Sequence, residues 1–180
     1  MQFAFIISRL LDPLWIIPAI TLLKAYNQGV LFSFVLMIIM LGIPLILRFR
    51  YRKHDWDVSK REDRPNVIAA LLILGCMTII FARIFGNTAI MKLLIFYEIW
   101  LFGFFLLSLF FKISGHAGGI SLATGLIVSW YGFAWWPVLL IVPLVAWARV
   151  KRRDHTIPQV IMGGLYSWVL LVVFDYWIIR

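Results

Sequence analysis

The chain is predicted to be all-α, a polytopic transmembrane helical bundle of six to seven helices forming one integral-membrane domain over residues 1–180. Three observations predict it. Hydrophobic residues fill 63% of positions and charged residues only 14%, whereas a soluble domain is about half apolar and a quarter charged. The apolar residues run in long blocks, several close to the roughly 20 residues needed to cross a hydrocarbon core roughly 30 Å thick. Cations gather in some of the segments between blocks and avoid others, as membrane topology requires.

Seven blocks follow in order. The first, 3–24, is interrupted by Arg9, Asp12-Pro13 and Pro18. No small-residue cleavage site follows a clean apolar run, so a retained helix is expected rather than a cleaved signal. The second is 29–47, the third 66–85 and the fourth 89–111. The fifth, 117–131, is short and rich in small residues (Ala117, Gly118, Gly119, Ala123, Gly125). The sixth is 133–148, and the seventh, 158–179, begins at Pro158, a residue suited to a first turn. The lone cysteine, Cys76, lies inside an apolar block and is expected to pack as a small buried hydrophobe.

The linkers are of two kinds. Those at 25–28, 86–88 and 131–132 are very short, with Asn27, Gly86-Asn87 and Gly132 as turn residues. Those at 48–65, 112–116 and 149–157 carry polar or special residues. If every block spans, the second kind share one membrane side with the N-terminus. That side holds twelve cations (Arg48, Arg50, Arg52, Lys53, Lys60, Arg61, Arg64, Lys112, Arg149, Lys151, Arg152, Arg153) against four toward the other (Lys24, Arg83, Lys92, Arg180). The bias puts the polar loops in the cytoplasm. Net charge +9 thus reads as topology and phosphate affinity. Nucleic acid is not an expected partner, because the basic residues occupy membrane-adjacent loops. Trp130, Trp135, Trp136, Trp147 and Trp177 fall near block ends, as interfacial belts do.

Two of the three histidines stand out. His116 lies in Lys112-Ile113-Ser114-Gly115-His116, and His155 lies between the sixth and seventh blocks, six residues after Arg149. A third polar run, Asp57 to Pro65, opens the third block. Each has an ordinary explanation: a histidine packed at a helix end, a serine N-cap followed by a glycine turn, a basic loop that only sets topology. Together, on one predicted face, they offer two imidazoles and several guanidinium groups. That inventory suits phosphoryl transfer from a lipid. Guanidinium forks hold phosphate oxygens, one imidazole attacks phosphorus, and the other protonates the leaving alkoxide. The helix start after Gly115 adds backbone N–H groups. No metal or cofactor is required. Glu98 and Asp175 are intramembrane acids, functional suspects by default or partners for Arg83 or Lys92.

These three runs resemble the signature motifs of the type 2 phosphatidic acid phosphatase superfamily of membrane lipid phosphatases, in the same order. In the first motif, Lys, six residues, Arg-Pro, the chain has Arg64-Pro65 but Asp57 at the lysine position, with Lys60 or Arg61 as substitutes. In the second, Pro-Ser-Gly-His, it has Ser114-Gly115-His116 after Ile113. In the third, Ser-Arg, five residues, His, three residues, Asp, it has Arg149 and His155, with Ala148 for the serine and Gln159 for the aspartate. The resemblance implies that His155 is the nucleophile, that His116 is the proton donor, and that Arg149, Arg64, Ser114 and Gly115 bind phosphate. Gln159 or Asp175 would replace the aspartate that orients the nucleophilic ring. His155-Thr156-Ile157-Pro158-Gln159-Val160 with Gly163-Gly164 is similar to a variant in small bacterial members, which implies a bacterial cytoplasmic membrane and a lipid phosphate as substrate. Two other functions compete. Loss of the family's lysine and aspartate fits a lipid-binding or transport protein on the same fold. Asp55 and Asp57 with Arg61 and Arg64 weakly suggest the Mg²⁺-binding loop of an intramembrane prenyltransferase, though a second acidic motif is missing.

Overall fold

A computed structural model describes residues 1–26, 29–42, 44–46 and 64–179, and among these residues the secondary structure is helical with no strand. The helices are α1 (Gln2–Leu10), α2 (Pro13–Ala25), α3 (Val30–Met37), α4 (Arg64–Ile84), α5 (Thr88–Phe110), α6 (Gly115–Tyr131), α7 (Ile141–Lys151) and α8 (Ile157–Ile179). A π-helical turn, Ile38–Gly42, follows α3, and a 3₁₀ segment, Phe133–Leu140, precedes α7. Among the described residues five stretches are long and apolar enough to cross a membrane: Gln2–Ala25, Asn66–Ile84, Thr88–Phe110, Phe133–Lys151 and Ile157–Asp175. They are consistent with an integral membrane protein.

Five is fewer than the six to seven expected, and two blocks account for the difference. The second block yields α3 and the π turn, part of a shorter apolar helix at Leu31–Ile46. The fifth yields α6, whose 17 residues reach only about 25 Å at 1.5 Å per residue, short of the roughly 30 Å core. Ten consecutive residues of α6, Ala117 to Leu126, are buried, so it is an internal helix. The assignment of sides, which needed seven spans, therefore no longer follows from the count. Cys76 is also exposed on α4 rather than buried.

The chain forms two compact units, one of residues 1–17 and 111–180 and the other of residues 18–110. In the second unit α4 and α5 form a hairpin through Gly86-Asn87, with Gly86 at φ 69° and the Asn87 side chain accepting from the Ile90 N–H. Phe32 stacks on Phe81, and the Thr21 hydroxyl donates to the Tyr97 hydroxyl at 3.2 Å.

The first unit carries His116 and His155. Here α6 packs tightly along α8, because small residues face each other. A Cβ added to Gly163 would sit 2.5 Å from the Ser114 carbonyl oxygen, and one on Gly125 would sit 2.5 Å from Leu171. A Cβ on Gly119 would strike Pro13 at 2.5 Å, so the start of α2 also lies against α6. Helix α1 packs on α7, burying Ala4, Ile7, Ile120, Val145 and Ala148 together.

Candidate active site

Each chemical group in the first unit is set by a helix end. Ser114 is the N-cap of α6. Its side chain accepts from the Ala117 N–H at 3.4 Å, its carbonyl accepts from the Gly118 N–H, and the residue is fully buried. Gly115 and His116 therefore form the first turn of α6.

Helix α7 ends in a Schellman turn. The Arg153 N–H donates to the Val150 carbonyl at 2.9 Å and the Asp154 N–H to the Arg149 carbonyl at 3.1 Å. Arg153 occupies the left-handed position usually given to glycine, at φ 63°. This reversal turns the chain back so that Asp154 and His155 fall beside Arg149. The Arg149 Nη1 donates to the Ser8 hydroxyl at 2.8 Å and lies 3.2 Å from Asp154 Oδ2. Arg152 Nε reaches the same Asp154 oxygen at 2.9 Å. Arg149 is only 2% exposed, so this pairing offsets the cost of burying its charge. The Arg9 and Arg152 guanidinium groups both lie over the Phe5 ring, at 4.5 and 5.1 Å.

Thr156 and Gln159 open α8 as half of a capping box: the Thr156 N–H donates to Gln159 Oε1 at 3.1 Å. That bond fixes which end of the amide faces inward, because an N–H needs an acceptor. The same Oε1 lies 3.1 Å from His155 Nδ1, so Nδ1 carries the proton and donates. In the neutral ring the lone pair is then on Nε2. His155 is 7% exposed. The Gln159 carbonyl in turn accepts from the Ser114 N–H at 3.1 Å, which joins the His116 turn to the His155 turn.

His116 has a partner that the sequence did not single out. Its Nε2 lies 3.6 Å from Asp12 Oδ2, with side-chain exposures of 13% and 6%. Asp12 caps α2, its Oδ1 accepting from the Leu14 N–H at 3.0 Å. Asp12 had registered only as an interruption of the first block. A carboxylate inside an apolar N-terminal block has to find a partner, and that signal was available.

Five of the expected residues thus lie in one compact unit and are linked through hydrogen bonds or sequence neighbours: His155, Gln159, Ser114, Gly115 and His116. Arg149 adjoins them through the Schellman turn. Asp175 lies on the same helix as Gln159 but about 24 Å further along its axis, bonded to the Ser129 hydroxyl. Gln159, not Asp175, therefore contacts the His155 ring. Arg64 begins α4 in the other unit and its side chain lies outside the described residues, as do Lys60, Arg61, Asp55 and Asp57.

No protein-family model matches the chain, and comparison with curated proteins and with solved structures gives no match. Among the described residues no group of three or more His, Cys, Asp or Glu side chains is placed to hold a metal ion. What the first unit does offer is an imidazole oriented through Nδ1, a buried arginine beside it, and a second imidazole facing a carboxylate.

Proposed function

We propose that the protein is a membrane-embedded lipid phosphate phosphatase of a bacterial cytoplasmic membrane. It would hydrolyse a phosphomonoester or diphosphate lipid of the phosphatidate, phosphatidylglycerol phosphate or polyprenyl phosphate type through a phosphohistidine. The observation that carries this reading is the Gln159 contact, which orients the ring of a buried histidine through Nδ1. Its supports are the motif order in the sequence and the bond between the Ser114 and Gln159 backbones.

In this mechanism Nε2 of His155 attacks phosphorus and the P–O bond to the lipid breaks. His116 gives its proton to the departing alkoxide. A water molecule then loses a proton to His116 and attacks the phosphohistidine, releasing inorganic phosphate and restoring His155. Backbone N–H groups at the start of α6 and the Arg149 guanidinium would hold the phosphoryl oxygens. The partners are the lipid phosphate and the surrounding membrane lipids, and no nucleic acid is involved. Purified protein in detergent is expected to release phosphate from at least one such lipid without added Mg²⁺, and His155→Ala to abolish release. Release that survives this substitution would sink the mechanism.

One observation favours a second reading. Arg149 is buried and already engaged by Ser8 and Asp154, as a structural arginine would be. On that reading the protein binds or transports a phospholipid without turning it over. Saturable binding of phosphatidate to wild-type protein with no phosphate release would support it.

A further inference from the structure

We infer that Asp12 is the positioning residue for His116: its carboxylate holds the ring by Nε2 and leaves Nδ1 as the atom that hands the proton to the lipid alkoxide. The inference rests on the phosphatase reading above. No sequence motif points to Asp12, which precedes His116 by more than a hundred residues.

The backbone and both carboxylate oxygens of Asp12 are set for this task. The residue is 4% exposed. Its carbonyl accepts from the Trp15 and Ile16 N–H groups and its Oδ1 from the Leu14 N–H, so the cap locks the side chain. Pro13 lies against Gly119 on α6, one helical turn beyond His116, and only glycine leaves room for it there. This contact brings Oδ2 within 3.6 Å of Nε2. The Nε2 atom is buried and makes no hydrogen bond to any described residue, so a small closure toward Asp12 completes it. Catalytic hydrogen bonds in ligand-free enzymes are often this long and tighten with substrate. The facing carboxylate complements the positive charge on the ring before transfer. In the transfer, the Nδ1–H bond breaks and an O–H bond forms on the alkoxide as the P–O bond breaks, while Nε2–H stays with Asp12.

The test compares two esters. Phosphatidate expels a diacylglycerol alkoxide, which needs the proton, whereas p-nitrophenyl phosphate expels a stable phenolate, which does not. Asp12→Asn keeps the cap, since asparagine caps helices as well as aspartate. In a single turnover at saturating substrate, which reads the first step alone, it is expected to slow release of diacylglycerol from phosphatidate about 30- to 100-fold, near the low end of what general acids contribute, with release of p-nitrophenolate nearly unaffected. His116→Ala is expected to show the same split, and Asp12→Asn to add little in that background, because the two residues act as one unit. Equal losses in single-turnover leaving-group release from both esters, no loss from either, or full additivity with His116→Ala would overturn the assignment of Asp12 alone. Wild-type protein that cleaves neither ester nor phosphatidylglycerol phosphate nor a polyprenyl phosphate overturns the phosphatase reading and this inference together.

Discussion

Replacing Gln159 by leucine keeps a side chain of similar size but removes the oxygen shared by two donors. Thr156 is exposed, so its N–H turns to water. His155 is buried, so its Nδ1–H loses its acceptor. An unsatisfied buried donor costs about 1–3 kcal/mol. The ring escapes that cost by moving its proton to Nε2, and in doing so gives up the lone pair that attacks phosphorus. Converted at 1.36 kcal/mol per tenfold, the same range is a fall in kcat of about 5- to 160-fold. Gln159→Glu keeps an acceptor in place and adds a charge opposite the developing imidazolium, so its rate should match or exceed that of the wild type. Phosphate release in detergent with EDTA measures the rates, and ¹⁵N-histidine NMR reports which ring nitrogen carries the proton. A leucine variant with the wild-type rate, or a glutamate variant as slow as the leucine one, would refute the orienting role of Gln159.

Three further outcomes follow from the same unit. Gly163→Ala places a methyl group 2.5 Å from the Ser114 carbonyl, so the start of α6 and α8 must separate. Overpacking of this kind costs about 1–3 kcal/mol, and both the melting temperature in detergent and phosphate release should fall. Arg153→Gly removes the left-handed strain at the end of α7, which costs about 1–2 kcal/mol in a non-glycine residue, less the entropy that glycine adds to the unfolded chain. A small rise in melting temperature with unchanged kcat is expected. Asp154→Asn takes the charge partner from Arg149 and Arg152. It should lower stability and, if Arg149 binds phosphate, tighten inhibition by inorganic phosphate. A loss of stability with no change in inhibition would mark Arg149 as structural.

The long helices were legible because their apolar runs are continuous: α4, α5 and α8 match the third, fourth and seventh blocks closely. The turns at Gly86 and Gly132 were legible for a physical reason, since both need positive φ and adopt 69° and 88°. What α6 does was harder to see. Its small residues promised close packing, but whether they face lipid or a neighbouring helix depends on where α8 lies, and that is set by tertiary contact. The first block is one span-length stretch, Gln2–Ala25, built from two helices because Asp12-Pro13 caps a new start.

The site divides in the same way. The motif resemblance singled out Arg149, His155 and Gln159, and they lie together because the Schellman turn and the capping box that gather them are local structures. Their alternative explanations were also partly realised: Ser114 is an N-cap and Gln159 is part of a cap. Ser8 and Asp12 were not identified, since nothing local links them to Arg149 or His116. Only the packing of the N-terminal segment on α6 and α7 brings them there. For Asp175, sequence left open a fold-back toward His155. The straight run of α8 carries it away to Ser129.

The most direct test of the central claim is to trap the intermediate on His155. Protein incubated briefly with ³²P-labelled phosphatidate in EDTA, quenched in alkali and digested, should yield one acid-labile phosphopeptide containing residue 155, and His155→Ala should yield none. Phosphate release by the wild type with no label on His155, or label that persists in His155→Ala, would contradict the account.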